Sequence, residues 1–170
     1  MINPWLTHLL RFLTLLLLQV FVLNNVVLSG IFNPYVIVYF LLVLPMNMPR
    51  AWLLIVAFLT GLMLDFFTHS IGMHAFVCVL IAFVRPFMMD IVQPPGGYNP
   101  DDRPTIGGMG FRWFLNYSLP LVLAYHLVLF LVATLSVNQI GFVLLKACVS
   151  ALIAEAIILL FELFFSKRTR

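Results

Sequence analysis

The chain reads as long apolar runs broken by short polar interruptions. A helix needs about 20 mostly apolar residues to cross the hydrocarbon of a bilayer. Such stretches fall at about 5–23, 34–44, 51–67, 72–92, 111–135 and 141–165. The second is too short for a regular span. Either it begins earlier, near Val26, or it is a tilted or re-entrant piece buried in protein, so five spans and six both remain open. The longest polar segment, about 93–110, holds Pro94, Pro95, Gly96, Gly97, Pro100, Pro104, Gly107 and Gly108. That composition predicts a loop, not a folded module. It divides a front part from a helical-hairpin back part. The expected fold is an all-α polytopic membrane protein with about six transmembrane helices, forming one integral membrane domain over 1–170.

Composition strengthens this picture. Hydrophobic residues make up 64% of the chain and charged residues 9%, against roughly 45–50% and about 25% in a soluble domain. No soluble core of this size could bury the excess, and a bilayer accepts it. The stretch 12–22 behind Arg11 is like the apolar part of a signal peptide, but no Ala-x-Ala-like site follows it. A retained first helix is expected. Lys and Arg favour the cytoplasmic flanks of spans. With both termini in the cytoplasm, Arg11, Arg50, Arg103, Arg112, Lys167, Arg168 and Arg170 all fall on that side. Arg85 lies in the inner half of its span, and only Lys146 lies toward the outside. The net charge of +3 is thus a topological signal. No basic stripe with interleaved aromatics points to nucleic acid. The expected location is the cytoplasmic (inner) membrane.

Polar groups inside the runs carry the remaining information. An ionised Asp at the centre of a span costs about 2.5–3.5 kcal/mol and is kept where a partner or a function compensates. Asp65 ends an apolar run near the outer membrane edge. It reads as an anchor for the turn leading to Gly72 and His74. Lys146 is the nearby cation that a contact could use. Asp65, His69 and His74 are also the residues a metal site would need, although spacing alone is a weak signal. Arg85 and Glu155 fall at nearly the same depth, which suggests a buried pair. The alternative has Arg85 snorkelling to lipid phosphates, with Pro86 marking a kink. Gln19, Asn24, Asn25 and His126 read as interhelical hydrogen-bonding groups, and Gly61 as a close helix approach. Cys78 and Cys148 read as small buried hydrophobes. Ser118 and His126 are too far apart on one helix for a direct bond, no Asp pair of the protease kind is apparent within the spans, and no His-Glu-x-x-His occurs. No catalytic constellation, metal site or cofactor is expected.

The order of several short motifs resembles the MreD family of the bacterial rod-shape (elongasome) machinery. These are Leu18-Gln19-Val20 with Asn24-Asn25, Asn33-Pro34, Leu44-Pro45, Gly61-Leu62 before Asp65, and Gly72-x-His74-Ala75. Phe83-x-Arg85-Pro86-Phe87, Gly97-Tyr98, Met109-Gly110-Phe111-x-Trp113-Phe114 and His126-x-x-x-Phe130 follow. The resemblance implies a non-enzymatic membrane scaffold or regulator of cell-wall elongation. Its partner would be an MreC-like bitopic protein, beside MreB, a RodA-type glycosyltransferase and a class B penicillin-binding protein. It also implies a fold like the S components of energy-coupling-factor transporters. No catalytic residues come with it. Gly61, Asp65, Gly72, His74, Arg85, Pro86, Lys146 and Glu155 are the candidate structural or partner-contact residues. The fold analogy leaves a second reading, an S-type substrate-binding subunit of a small-molecule (vitamin) transporter. Such subunits dock through small, Ala-rich surfaces, which the Leu- and Phe-rich first span lacks. A third reading, a binder of lipid-linked intermediates, is neither supported nor excluded.

Overall fold

The computed structural model describes residues 4–25, 32–99, 101–134 and 140–165. Among the described residues, five helices are long and apolar enough to cross a membrane. They are α1 (Pro4–Leu17, continuing as a π-helical segment Leu18–Leu23), α3 (Arg50–Thr68), α4 (Met73–Ile91), α6 (Phe111–Thr134) and α7 (Ile140–Phe165). The described residues also form two short helices, α2 (Val38–Leu42) and α5 (Ile106–Met109). The chain is an all-α polytopic membrane protein. A start of the second stretch near Val26, the cations Lys167, Arg168 and Arg170, and most of the turn at 136–140 lie outside the described residues.

α3 and α4 are joined by only four residues, which makes them antiparallel neighbours. The end of the bundle carrying this turn is called here the hairpin end. The opposite end, which carries the 92–110 connection, is called the loop end. His69 closes α3 in the left-handed conformation (φ 53°), and Gly72 opens α4 at φ 73°. Both lie in the region where a side chain is strained. Along the crossing, Gly61 faces the backbone of α4. A Cβ there would stand 2.4 Å from Ala75 Cα and 2.5 Å from the His74 carbonyl oxygen. Only hydrogen fits, so this glycine sets how closely α3 meets α4.

The second apolar stretch is the centre of the molecule. Residues 33–36 are non-helical, α2 has five residues, and Pro34 and 36–44 are all buried. Regular hydrogen bonding therefore covers only part of this backbone. Irregular backbone at membrane depth is tolerated only where protein walls it off, because lipid offers no hydrogen bonds. Here α1, α4, α6 and α7 supply that wall. α1 is the most peripheral member. Only 17% of its apolar window is buried, against 33–44% for the other four spans.

The loop at 92–110 is tied down against the bundle. The Tyr98 hydroxyl donates to the Met89 carbonyl at 2.7 Å, and its ring meets Trp113 edge-on at 6.0 Å. Partial burial raises the Tyr98 pKa, which keeps the phenol a donor. Thr105 caps α5 by accepting from the Gly108 N–H at 3.1 Å.

Candidate functional site

Most of the buried polar side chains fall into three groups, and each group is built around backbone; Ser118 and Glu155 form a separate pair.

The first group lies at the hairpin end. Asp65 is in the last turn of α3 and 4% exposed. Its Oδ1 accepts from the Ser70 hydroxyl at 2.5 Å and from the His74 N–H at 3.0 Å, and its Oδ2 accepts from the Ala75 N–H at 2.9 Å. The two N–H groups belong to the first turn of α4, where no intrahelical acceptor exists. The carboxylate of one helix therefore caps the next, where the helix dipole favours negative charge. Ser70 closes the turn between them. His74 points its ring away from the carboxylate, with Nδ1 2.9 Å from the Tyr125 hydroxyl and the ring 4.7 Å from that of Tyr35. Lys146 does not reach Asp65. Its ammonium lies 4.7 Å from the centre of the Phe130 ring, as a cation–π contact. The metal reading also gives way. Among the described residues no three His, Cys, Asp or Glu side chains gather to hold an ion. His74 is turned to Tyr125, and Asp65 to Ser70 and the first turn of α4.

The second group serves the extended part of the central segment. Every N–H from 33 to 36 has an acceptor. Asn33 donates to Ser150 Oγ at 3.2 Å, Tyr35 to His126 Nε2 at 3.0 Å, and Val36 to Gln19 Oε1 at 2.8 Å. Pro34 has no N–H to satisfy. The Gln19 amide also donates to the Pro34 carbonyl at 3.2 Å and to Asn24 Oδ1 at 3.0 Å. It pairs with alternate residues of the extended chain as a neighbouring strand would. The π-helical turns of α1 at 18–23 carry Gln19 at this position, which is 1% exposed. Because His126 Nε2 accepts, its Nδ1 carries the ring proton and donates to the Val122 carbonyl at 2.8 Å.

The third group closes the other end of the segment. Arg85, fully buried, donates through Nε to the Tyr117 hydroxyl at 2.8 Å. Through Nη2 it donates to the carbonyls of Leu42 and Leu44. Tyr117 in turn donates to Leu42 O at 2.9 Å. The last carbonyls of a helix have no intrahelical donor, and a cation placed there complements the dipole. Arg85 is thus a C-terminal cap for α2 in the protein interior. Below it, Glu162 of α7 accepts from the Tyr39 hydroxyl and, at 2.9 Å, from the Ile106 N–H. It joins the central segment to α5. Arg11 lies 5.8 Å from the centre of the Tyr39 ring.

Two expected pairs are therefore corrected. Arg85 and Glu155 do not form an ion pair, because their side chains are directed to different neighbours. Arg85 turns to the carbonyls of α2. Glu155 turns to α6, where Ser118 Oγ lies 2.5 Å from its Oε1. Asp65 and Lys146 likewise find other partners. Snorkelling of Arg85 to lipid is excluded by its burial. Pro86 follows Arg85 inside α4 without ending the helix. Of the two cysteines, Cys78 is buried, but Cys148 faces outward from α7.

Tyr39, Tyr117, Ser150 and Glu162 belong to these groups and were not singled out from the sequence. Glu162 carried a signal, as a lone acid in the last turns of an apolar run. The tyrosines and Ser150 carried none, since an aromatic or a serine in a span needs no partner to be tolerated. The side chains offer hydrogen bonds to backbone, and both ring nitrogens of His126 are occupied. Compared with protein-family profiles, curated proteins and solved structures, the chain finds no match in any of the three.

Proposed function

We propose that the chain is a non-enzymatic scaffold or regulator of cell-wall elongation that binds an MreC-like bitopic partner in the inner membrane. MreB, a RodA-type glycosyltransferase and a class B penicillin-binding protein would belong to the same complex. The loop end is taken as cytoplasmic, following the placement of Arg11, Arg50, Arg103 and Arg112. The observation that carries the reading is the use made of the buried polar residues. Gln19, Arg85, Tyr117, His126 and Ser150 all hold the backbone of the central segment. The motif order that resembles the MreD family falls on these same elements: Gln19 and Asn24, Asn33-Pro34, Leu44-Pro45, Asp65 with His74-Ala75, Arg85-Pro86 and His126. Those motifs mark a structural frame. α1 exposes Leu6, Leu9, Leu10, Leu13 and Leu17, a surface on which a partner's transmembrane helix could pack.

Co-purification tests the proposal. A tagged full chain, extracted in mild detergent from its native membrane, should recover an MreC-like single-span protein. Recovery of an ATPase pair with a membrane coupling subunit instead would overturn it in favour of an S-type transporter subunit.

A further inference from the structure

Among the described residues, Glu155 is the buried carboxyl group with the fewest donors within reach, a single hydroxyl. It is 3% exposed and lies about 22 Å along α7 from Ile140 and about 15 Å from Phe165, well inside the span. Its Oε2 has no hydrogen-bond partner. Its Oε1 has a single neighbour, the hydroxyl of Ser118, at 2.5 Å. That hydroxyl also lies 2.8 Å from the carbonyl oxygen of Phe114, one turn back in α6. A serine hydroxyl has one proton to give. A carbonyl can only accept, so a proton directed to Phe114 leaves none for Glu155. The 2.5 Å contact then needs a proton from the carboxyl side.

The charged groups on the neighbouring elements are directed elsewhere. Arg85 of α4 is held by Tyr117 and the carbonyls of α2, and Lys146 of α7 lies over Phe130. His126 of α6 is neutral between Tyr35 and Val122, and Glu162 of α7 is occupied by Tyr39 and Ile106. Arg112 is exposed at the start of α6. Isolated ionised carboxylates in an apolar medium are so costly that the group takes up a proton instead.

We propose that Glu155 is a proton-binding site within the membrane, held as an uncharged acid whose O–H donates to Ser118 Oγ while Ser118 donates to Phe114. The proton forms the link between α6 and α7 at this depth. Losing it would leave a carboxylate with at most one donor. Ser118 would have to abandon Phe114, or the two helices would have to part to admit water. Proton occupancy and α6–α7 packing are therefore coupled.

Infrared spectroscopy of the full chain in lipid nanodiscs at neutral pH reads the site directly. The difference spectrum of wild type minus Glu155→Gln should contain the C=O stretch of a protonated carboxylic acid, shifting in D2O. A difference made only of carboxylate stretches would overturn the proposal. Ser118→Ala leaves Glu155 in place and should move the acid band to higher frequency, because the acid loses its acceptor. An unmoved band would rule out Ser118 as the group that receives the proton.

Discussion

Asp65 and Glu155 are both carboxyl groups carried by apolar helices, and the protein treats them in opposite ways. Asp65 meets three donors, two of them N–H groups of a helix start that would otherwise be orphaned. Glu155 meets one hydroxyl that already has an acceptor within reach. The difference lies in backbone. At the hairpin end, α4 begins inside the protein, and its exposed N–H groups form a ready site for an anion. Between α6 and α7 both helices are in mid-course, their N–H groups are used internally, and nothing is left over to stabilise charge. A carboxyl group in this protein is costly or useful according to whether a helix end is near it.

Three substitutions would break or sharpen that contrast. The largest effect is expected from Gly61→Val. It drives a side chain into the backbone at His74 and Ala75, moving away from Asp65 the N–H groups that it caps. Overpacking of this kind against rigid backbone should cost about 3 kcal/mol or more, read as a large drop in folded protein after detergent extraction. Asp65→Ala comes next. It leaves two buried N–H groups unpaired, at about 1–3 kcal/mol each, so a loss of roughly 3 kcal/mol is expected in a reversible denaturation measured in mixed micelles. If Asp65→Ala is as stable as wild type, the cap contributes nothing and the contrast fails. The smallest effect belongs to Glu155→Gln. A glutamine amide can donate to Ser118 just as the protonated acid does. Its second N–H finds no acceptor, so the same denaturation should move by about 1 kcal/mol, the low end of the cost of one unpaired buried group. Had Glu155 paired with Arg85, removing one partner of a buried ion pair would cost about 3–5 kcal/mol.

Much of this arrangement was legible in the residues. The five long helices follow from runs of about 20 apolar residues, and their ends agree closely with the expected limits. Asp65 as an anchor for its turn was readable too, because a short connection leaves an acid at the end of one helix near the start of the next. Gly61 could be read as a close approach because a lone glycine in an apolar helix usually has a packing reason. The partners of Arg85, Glu155 and Lys146 were not readable. Depth fixes only one of three coordinates, and the rotation of each helix about its axis decides which neighbour a side chain meets. Cys148 went astray for the same reason: its position within a span says nothing about whether it faces protein or lipid.

The central segment divides the two kinds of knowledge most clearly. Its shortness left open, from sequence alone, whether it was a span beginning near Val26 or a tilted or re-entrant piece. Sequence did determine that the chain lives in a bilayer, since 64% hydrophobic residues have no other solvent. Only the tertiary structure decided that this segment is the core, and that Gln19, Ser150 and His126 hold one end while Arg85 and Tyr117 hold the other. Hydropathy is a property of each residue and survives being read in order. Hydrogen bonding of irregular backbone in a medium without water belongs to the whole bundle, because the groups that complete it come from helices distant in the chain.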